Sequence, residues 1–282
     1  MGTVVETIAE PAGFTPARGP NPATRGRTLP TTFWYPVHGP AGPADRPGAP
    51  PLAGRPFPVV VFAHGFDVAP STYRVFLHAL AAAGLVVAAP LFPISGSGPP
   101  GPPREDDQLR QTGDLSTVIT WILGHRHVSG LPAAAADPDR VAIVGHSDGA
   151  ESAAMMLLYP PYLDRRVRAA VLLGGQALPG PVQPLTGVPV LVEQGDADTI
   201  NPPGLGRGLF AQLGGPKAYL ELFRGTHLGA LIGPEADAAD LQRFVAGFLL
   251  SVLGPAPATT AELERLGNQP GLTGLALVGA WP

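Results

Sequence analysis

The chain has 282 residues, 18 Lys and Arg against 22 Asp and Glu for a net charge of −4, and 45% hydrophobic but only 14% charged residues. No basic stripe is available to neutralise phosphates, which excludes ordinary nucleic-acid binding. The absence of cysteine excludes disulfides, thiolate metal sites and a cysteine nucleophile together.

Glycine (37) and proline (36) are abundant, yet they punctuate apolar runs instead of replacing them, so a packed core is expected. Met1-Gly2-Thr3-Val4-Val5-Glu6 lacks the basic-then-apolar pattern of a secretory leader, which fits a cytoplasmic protein or a secreted one whose leader is removed. The longest apolar stretch, 80–94, is broken by Pro90 and Pro93 and is too short for a membrane span.

Residues 31–36 read as an early edge strand, followed by a Pro/Gly-rich surface loop over 38–58. The run 58–63 (Pro-Val-Val-Val-Phe-Ala) is the continuous apolar segment of a buried parallel strand. Helical spacing of Val75, Phe76, Ala79, Leu80 and Ala83 predicts a helix over 71–83, stopped by Gly84. Residues 85–89 form the next strand, and a second Pro/Gly-rich loop covers 93–103. An amphipathic helix is predicted over 106–123, with Leu115, Val118, Ile119 and Ile122 on one face and Gly124 closing it.

A strand over 140–144, a helix over 148–158 and strands over 167–173 and 188–193 follow. Then come a helix over 203–213, a strand over 218–223 and a last helix over 235–253. Such alternation specifies a doubly wound, mostly parallel sheet flanked by helices, one α/β domain over residues 1–254. The pattern leaves the structure of 255–282 open. The segment 174–187 is short and holds Pro179, Pro181 and Pro184, so no large cap domain is expected there.

The chemistry concentrates at Gly145-His146-Ser147-Asp148-Gly149, a G-x-S-x-G between a buried strand and a helix. That context is the nucleophile elbow, in which the serine occupies a strained turn and the glycines make room for it. A serine hydroxyl needs a base to take its proton, and in this topology acid and base follow the nucleophile in chain order. His227 is the one histidine after Ser147. The loop after the preceding strand offers two acids, Asp198 and Asp196; the spacing from Gly195 favours Asp198, while Asp196 reads as a turn aspartate.

An oxyanion hole needs two backbone N–H donors. The residue after the nucleophile, Asp148, supplies one, and Phe66 in His64-Gly65-Phe66 supplies the other. Phe66, His146 and Gly65 are the candidate substrate contacts. A carboxylate beside an oxyanion would repel it, so the Asp148 side chain is expected to turn away along the helix N-terminus. His125 and His127 lack a third ligand, Glu105-Asp106-Asp107 reads as a helix opening, and Gly96-Ser97-Gly98 is followed by prolines that cannot cradle phosphate. No metal and no cofactor are expected.

Taken together, these residues resemble the α/β-hydrolase superfamily over roughly 31–253. Within it, Thr32-Phe33-Trp34-Tyr35-Pro36, Val59 to Phe66 and Gly84 to Pro90 look like the branch of dienelactone-hydrolase-like proteins, plasma-type platelet-activating-factor acetylhydrolases and bacterial cutinases. Asp198-Thr199-Ile200-Asn201-Pro202 and Thr226-His227-Leu228 are similar to cutinase acid and base loops, although Gly174-Gly175-Gln176 stands where those enzymes carry a stacking tryptophan.

The expected function is a serine esterase with the triad Ser147, His227 and Asp198, an open cleft rimmed by Phe66 and the 95–103 loop, and short acyl chains of about C2 to C6 preferred. Its partner would be a small or polymeric ester. A cutinase-type polyester or lipid hydrolase and a non-catalytic binding protein on the same fold are the alternatives.

Overall fold

The computed structural model describes every residue except 41, 234–236, 256–257 and 282. In chain order the elements are β1 (Gly2–Thr15), β2 (Thr24–Tyr35), β3 (Arg46–Pro47), β4 (Phe57–Ala63), α1 (Arg74–Ala82), β5 (Val86–Pro90), α2 (Gln108–His125), β6 (Ala136–His146) and α3 (Asp148–Leu158). They continue as β7 (Val167–Leu173), β8 (Val190–Gly195), α4 (Pro203–Gln212), β9 (Lys217–Leu222), α5 (Gly229–Ile232), α6 (Ala238–Leu253), α7 (Thr260–Gly267) and β10 (Thr273–Val278). Among the described residues the strands form one sheet in the order β10-β9-β8-β7-β6-β4-β5-β2-β1-β3.

The six central strands, β5 through β9, run parallel. β4, β5, β7, β8 and the second half of β6 are buried along nearly their whole length, because helices cover both faces, whereas β9 alternates buried and half-buried residues. On one face α1 and α6 bury Phe76, Leu80, Phe244 and Phe248 against Val60, Phe62 and Val144. On the other, α2, α3 and α4 bury Leu115, Ile119, Met156 and Leu209 against Val59, Val61 and Ile143. The fold is α/β, with the doubly wound, mostly parallel sheet that the alternation of elements specifies.

The margins of the sheet differ from expectation. The segment taken as an edge strand is the inner end of β2, which lies antiparallel between β5 and β1. Its partner β1 was not legible because most of its side chains are half-buried or exposed, with Gly2 and Ile8 its buried positions. The 38–58 loop contributes β3, paired with β1. Residues 255–282 contain α7 and β10, and β10 extends the sheet antiparallel to β9. Gly124 lies inside α2, which continues to His125. The expected start of the last helix at Glu235 lies outside the described residues.

Between β7 and β8 no helix covers the sheet edge. The 93–103 loop is drawn toward the β1–β2 connection, because the buried Arg18 donates to the carbonyls of Pro93, Gly96 and Gly101 at 3.0, 2.7 and 3.1 Å.

Candidate active site

Strand β6 ends at His146 and α3 begins at Asp148, so Ser147 must reverse the chain in a single residue. It does so at φ 54°, ψ −126°, a conformation that L-residues seldom adopt and that tight packing must enforce. Both flanking glycines are obligatory. A Cβ at Gly145 would collide with the Gly149 carbonyl, and one at Gly149 with the carbonyl of Ala63 on β4. The Ser147 N–H donates to Leu173 O at 2.9 Å, pinning the turn to β7.

The loops after β8 and β9 bring two more side chains to this point. His227 Nε2 lies 3.0 Å from Ser147 Oγ, and its Nδ1 lies 2.8 Å from Asp198 Oδ2. Asp198 is 4% exposed. Its Oδ1 accepts the N–H groups of Ile200 and Asn201, both at 2.9 Å, and its Oδ2 also accepts Gln194 Nε2 at 3.0 Å. With the Nδ1 proton held by this carboxylate, Nε2 presents its lone pair to the serine hydroxyl. Asp196, the other candidate acid, is exposed and accepts the backbone N–H of Arg224.

The loop after β4 is held by two buried imidazoles. His64 Nδ1 donates to Gly65 O at 2.7 Å while its Nε2 accepts the Phe92 N–H at 3.0 Å, and burial pushes its pKa down to about 4. The Gly65 N–H donates to Tyr73 Oη at 3.1 Å, and the Tyr73 hydroxyl donates to His146 Nδ1 at 2.8 Å. His146 Nε2 in turn donates to the carbonyl of His227 at 2.7 Å. Burial, helped by the neighbouring His227, pushes His146 down to about 3, so it stays neutral. An unbroken chain of hydrogen bonds therefore links the Phe66 loop to the His227 loop. His146, expected as a substrate contact, lines the cleft but spends both ring nitrogens inside the protein.

The cleft above Ser147 has a volume of about 320 Å³ and is lined by Gly65, Phe66, Asp148 and His227 together with Glu105, Glu151, Gln176, Ile200 and Asn201, among others. Its rim departs from expectation. Glu105 and Ile200 line it and the 95–103 loop does not, although Ser95 and Ser97 are hydrogen-bonded to Asp67 and Val68 just after Phe66.

The Asp148 carboxyl belongs to the first turn of α3. Its Oδ2 is buried with no hydrogen-bond partner, and burial followed by the charge of Glu105 raises the carboxyl to about 6. His227 and the residue's own backbone N–H, the expected oxyanion donor, partly offset that rise. Asp148 lines the cleft beside Ser147.

Sequence reasoning missed Gln194, Tyr73 and Asn201, whose Nδ2 donates to Gly174 O at 2.7 Å. Only Gln194 left a signal, as a polar residue at the end of an apolar strand. Among the described residues no group of three or more metal-binding side chains is gathered. His125 is engaged by the Trp121 carbonyl and ring. No helix among the described residues is long and apolar enough to cross a membrane.

Comparison with known proteins adds two findings. The Chlorophyllase family model matches residues 48–181, a segment that contains β4, the Phe66 loop and the Ser147 elbow and stops short of Asp198 and His227. A chlorophyllase type 0 from Chenopodium album is 28% identical over 128 residues, 44% of this chain and 35% of the relative, so the match spans about a third of that protein. Both findings support the hydrolase superfamily and ester hydrolysis at a coarse level, without singling out a branch.

Proposed function

We propose that the chain is a serine hydrolase that cleaves carboxylic esters through an acyl-enzyme. The observation that carries this reading is the continuous line Ser147 Oγ, His227 Nε2, His227 Nδ1, Asp198 Oδ2, with hydrogen-bond distances of 3.0 and 2.8 Å. His227 Nε2 takes the hydroxyl proton as Ser147 Oγ bonds to the carbonyl carbon. The negative oxygen lodges on the N–H groups of Phe66 and Asp148. Collapse breaks the carbon–oxygen bond of the leaving alcohol, which receives the proton from His227, and water then repeats the sequence to release the acid.

With no cap between β7 and β8, substrate enters an open cleft. Short acyl chains of about C2 to C6 fit, since a shallow site buries few methylenes at about 0.8 kcal/mol each. A polyester hydrolase is the second reading, favoured by Ile200, which stands 67% exposed on the rim with Leu205 also exposed nearby.

The test is a hydrolysis screen over acyl lengths, with a polyester film included. Ser147→Ala is expected to reduce kcat by at least about 10³-fold without unfolding. Rates should rise hyperbolically through the solubility limit of a medium-chain ester. Undiminished turnover by Ser147→Ala removes the mechanism. A sharp rise at the onset of emulsion points to a lipase.

A further inference from the structure

Glu105, Asp148 and Glu151 all line the same cleft as Ser147, and no Lys or Arg lines it. Neighbouring acids are neutralised. Asp106 pairs with Arg104 at 3.0 Å, and Asp107 and Asp114 share the buried Arg27 at 2.7 and 2.6 Å. The three cleft carboxylates, by contrast, form no ion pair with Lys or Arg among the described residues. Glu151 is 6% exposed and is held by Gln108 Nε2 at 3.1 Å, and Asp148 Oδ2 is buried without a partner. Phe66 lines the same cleft, and a cleft that combines an aromatic residue with carboxylates suits an ammonium group.

Resting on the esterase reading, we propose that the cleft selects esters carrying a positive charge, a protonated or quaternary ammonium close to the scissile carbonyl. Three negative groups beside a nucleophile would otherwise oppose the developing oxyanion. A cationic substrate neutralises them and places its own charge near that oxygen. Esters bearing a carboxylate are disfavoured for the same reason.

The facing groups also fix how this preference varies with pH. Burial raises Asp148 to about 6 and Glu151 to about 7, with Glu105 adding to the rise at both and Asp148 adding to it at Glu151. His227 opposes it at Asp148, and Gln108 and Gln176 oppose it at Glu151. The carboxylates are therefore neutral at low pH and ionise as pH rises, and the cation preference grows with them.

The experiment compares kcat/KM for charge-matched ester pairs. Acetylcholine against 3,3-dimethylbutyl acetate places the charge on the alcohol. The 4-nitrophenyl ester of 4-(trimethylammonio)butyrate against that of 5,5-dimethylhexanoate places it on the acyl group. Taking ratios cancels any pH dependence of the catalytic steps that both members of a pair share.

The expected result is a cation preference of tenfold or more in at least one pair, about 1.4 kcal/mol. It should increase from pH 5.5 to 8, fall in high salt, and drop several-fold in Glu105→Gln, whose exposed position tolerates substitution. Ratios within twofold in both pairs, with neutral esters turned over well, overturn this inference and leave the esterase reading standing. Absence of turnover on every ester, cationic and neutral, overturns the esterase reading and this inference with it.

Discussion

Asp198 hydrogen-bonds the His227 of the Ser147–His227 pair and Asp148 follows its serine directly in the chain, and the protein treats the two acids in opposite ways. Asp198 receives two backbone N–H groups, an amide and the imidazole of His227, so both its oxygens are engaged by fixed partners. Asp148 keeps one buried oxygen without a partner and is raised to about 6. Residue type does not decide what a carboxylate does here; the supply of donors does. A saturated carboxylate is immobile and suits the orientation of an imidazole. A carboxylate with an unmatched buried oxygen is held at the cost of its ionisation, and its charge acts on the cleft that the residue lines.

The largest effect that would break this comparison is at the saturated acid. Asp198→Asn keeps the shape but offers an amide to His227 Nδ1, favouring the wrong tautomer, and kcat should fall by about 10²–10⁴-fold. Asp196→Asn should leave it nearly unchanged, since the side chain can still accept from Arg224. Steady-state kinetics of the two purified variants decides the matter, and the reverse ranking would move the acid by two residues.

A smaller effect sharpens the other side. The folded-state pKa of Asp148 lies above its ordinary value, so folding favours its protonated form. The cost of ionising it in place is absent below about pH 4 and fully present above about pH 6. Asp148→Asn should therefore raise Tm at pH 8, by about 2 °C or more, and leave it unchanged at pH 4. Thermal unfolding at the two pH values measures this directly. Equal shifts at both would mean that Asp148 is not a strained carboxylate.

The centre of the molecule was legible because burial on both faces leaves an unambiguous record. Val59 to Ala63 and Val141 to Val144 have no polar residue to alternate with. The Ser147 elbow was equally plain, since its glycines are sterically required and sit at fixed spacing. Chain order then led to His227, and the spacing from Gly195 to the preference for Asp198 over Asp196.

The margins were not legible. β1 places exposed residues on most of its length, and β10 carries an alternating pattern of only six residues. Tyr73 and His146 meet across 73 positions of sequence, a distance over which no local pattern reports.

The most direct test of the central claim is covalent. A fluorophosphonate reagent phosphonylates only a serine whose hydroxyl is activated, an O–P bond forming as fluoride leaves, and peptide mass mapping locates the adduct. The account predicts one adduct per chain, on the peptide carrying Ser147, formed at neutral pH and absent from Ser147→Ala. An adduct on a different serine, or labelling that persists undiminished in Ser147→Ala, would contradict it.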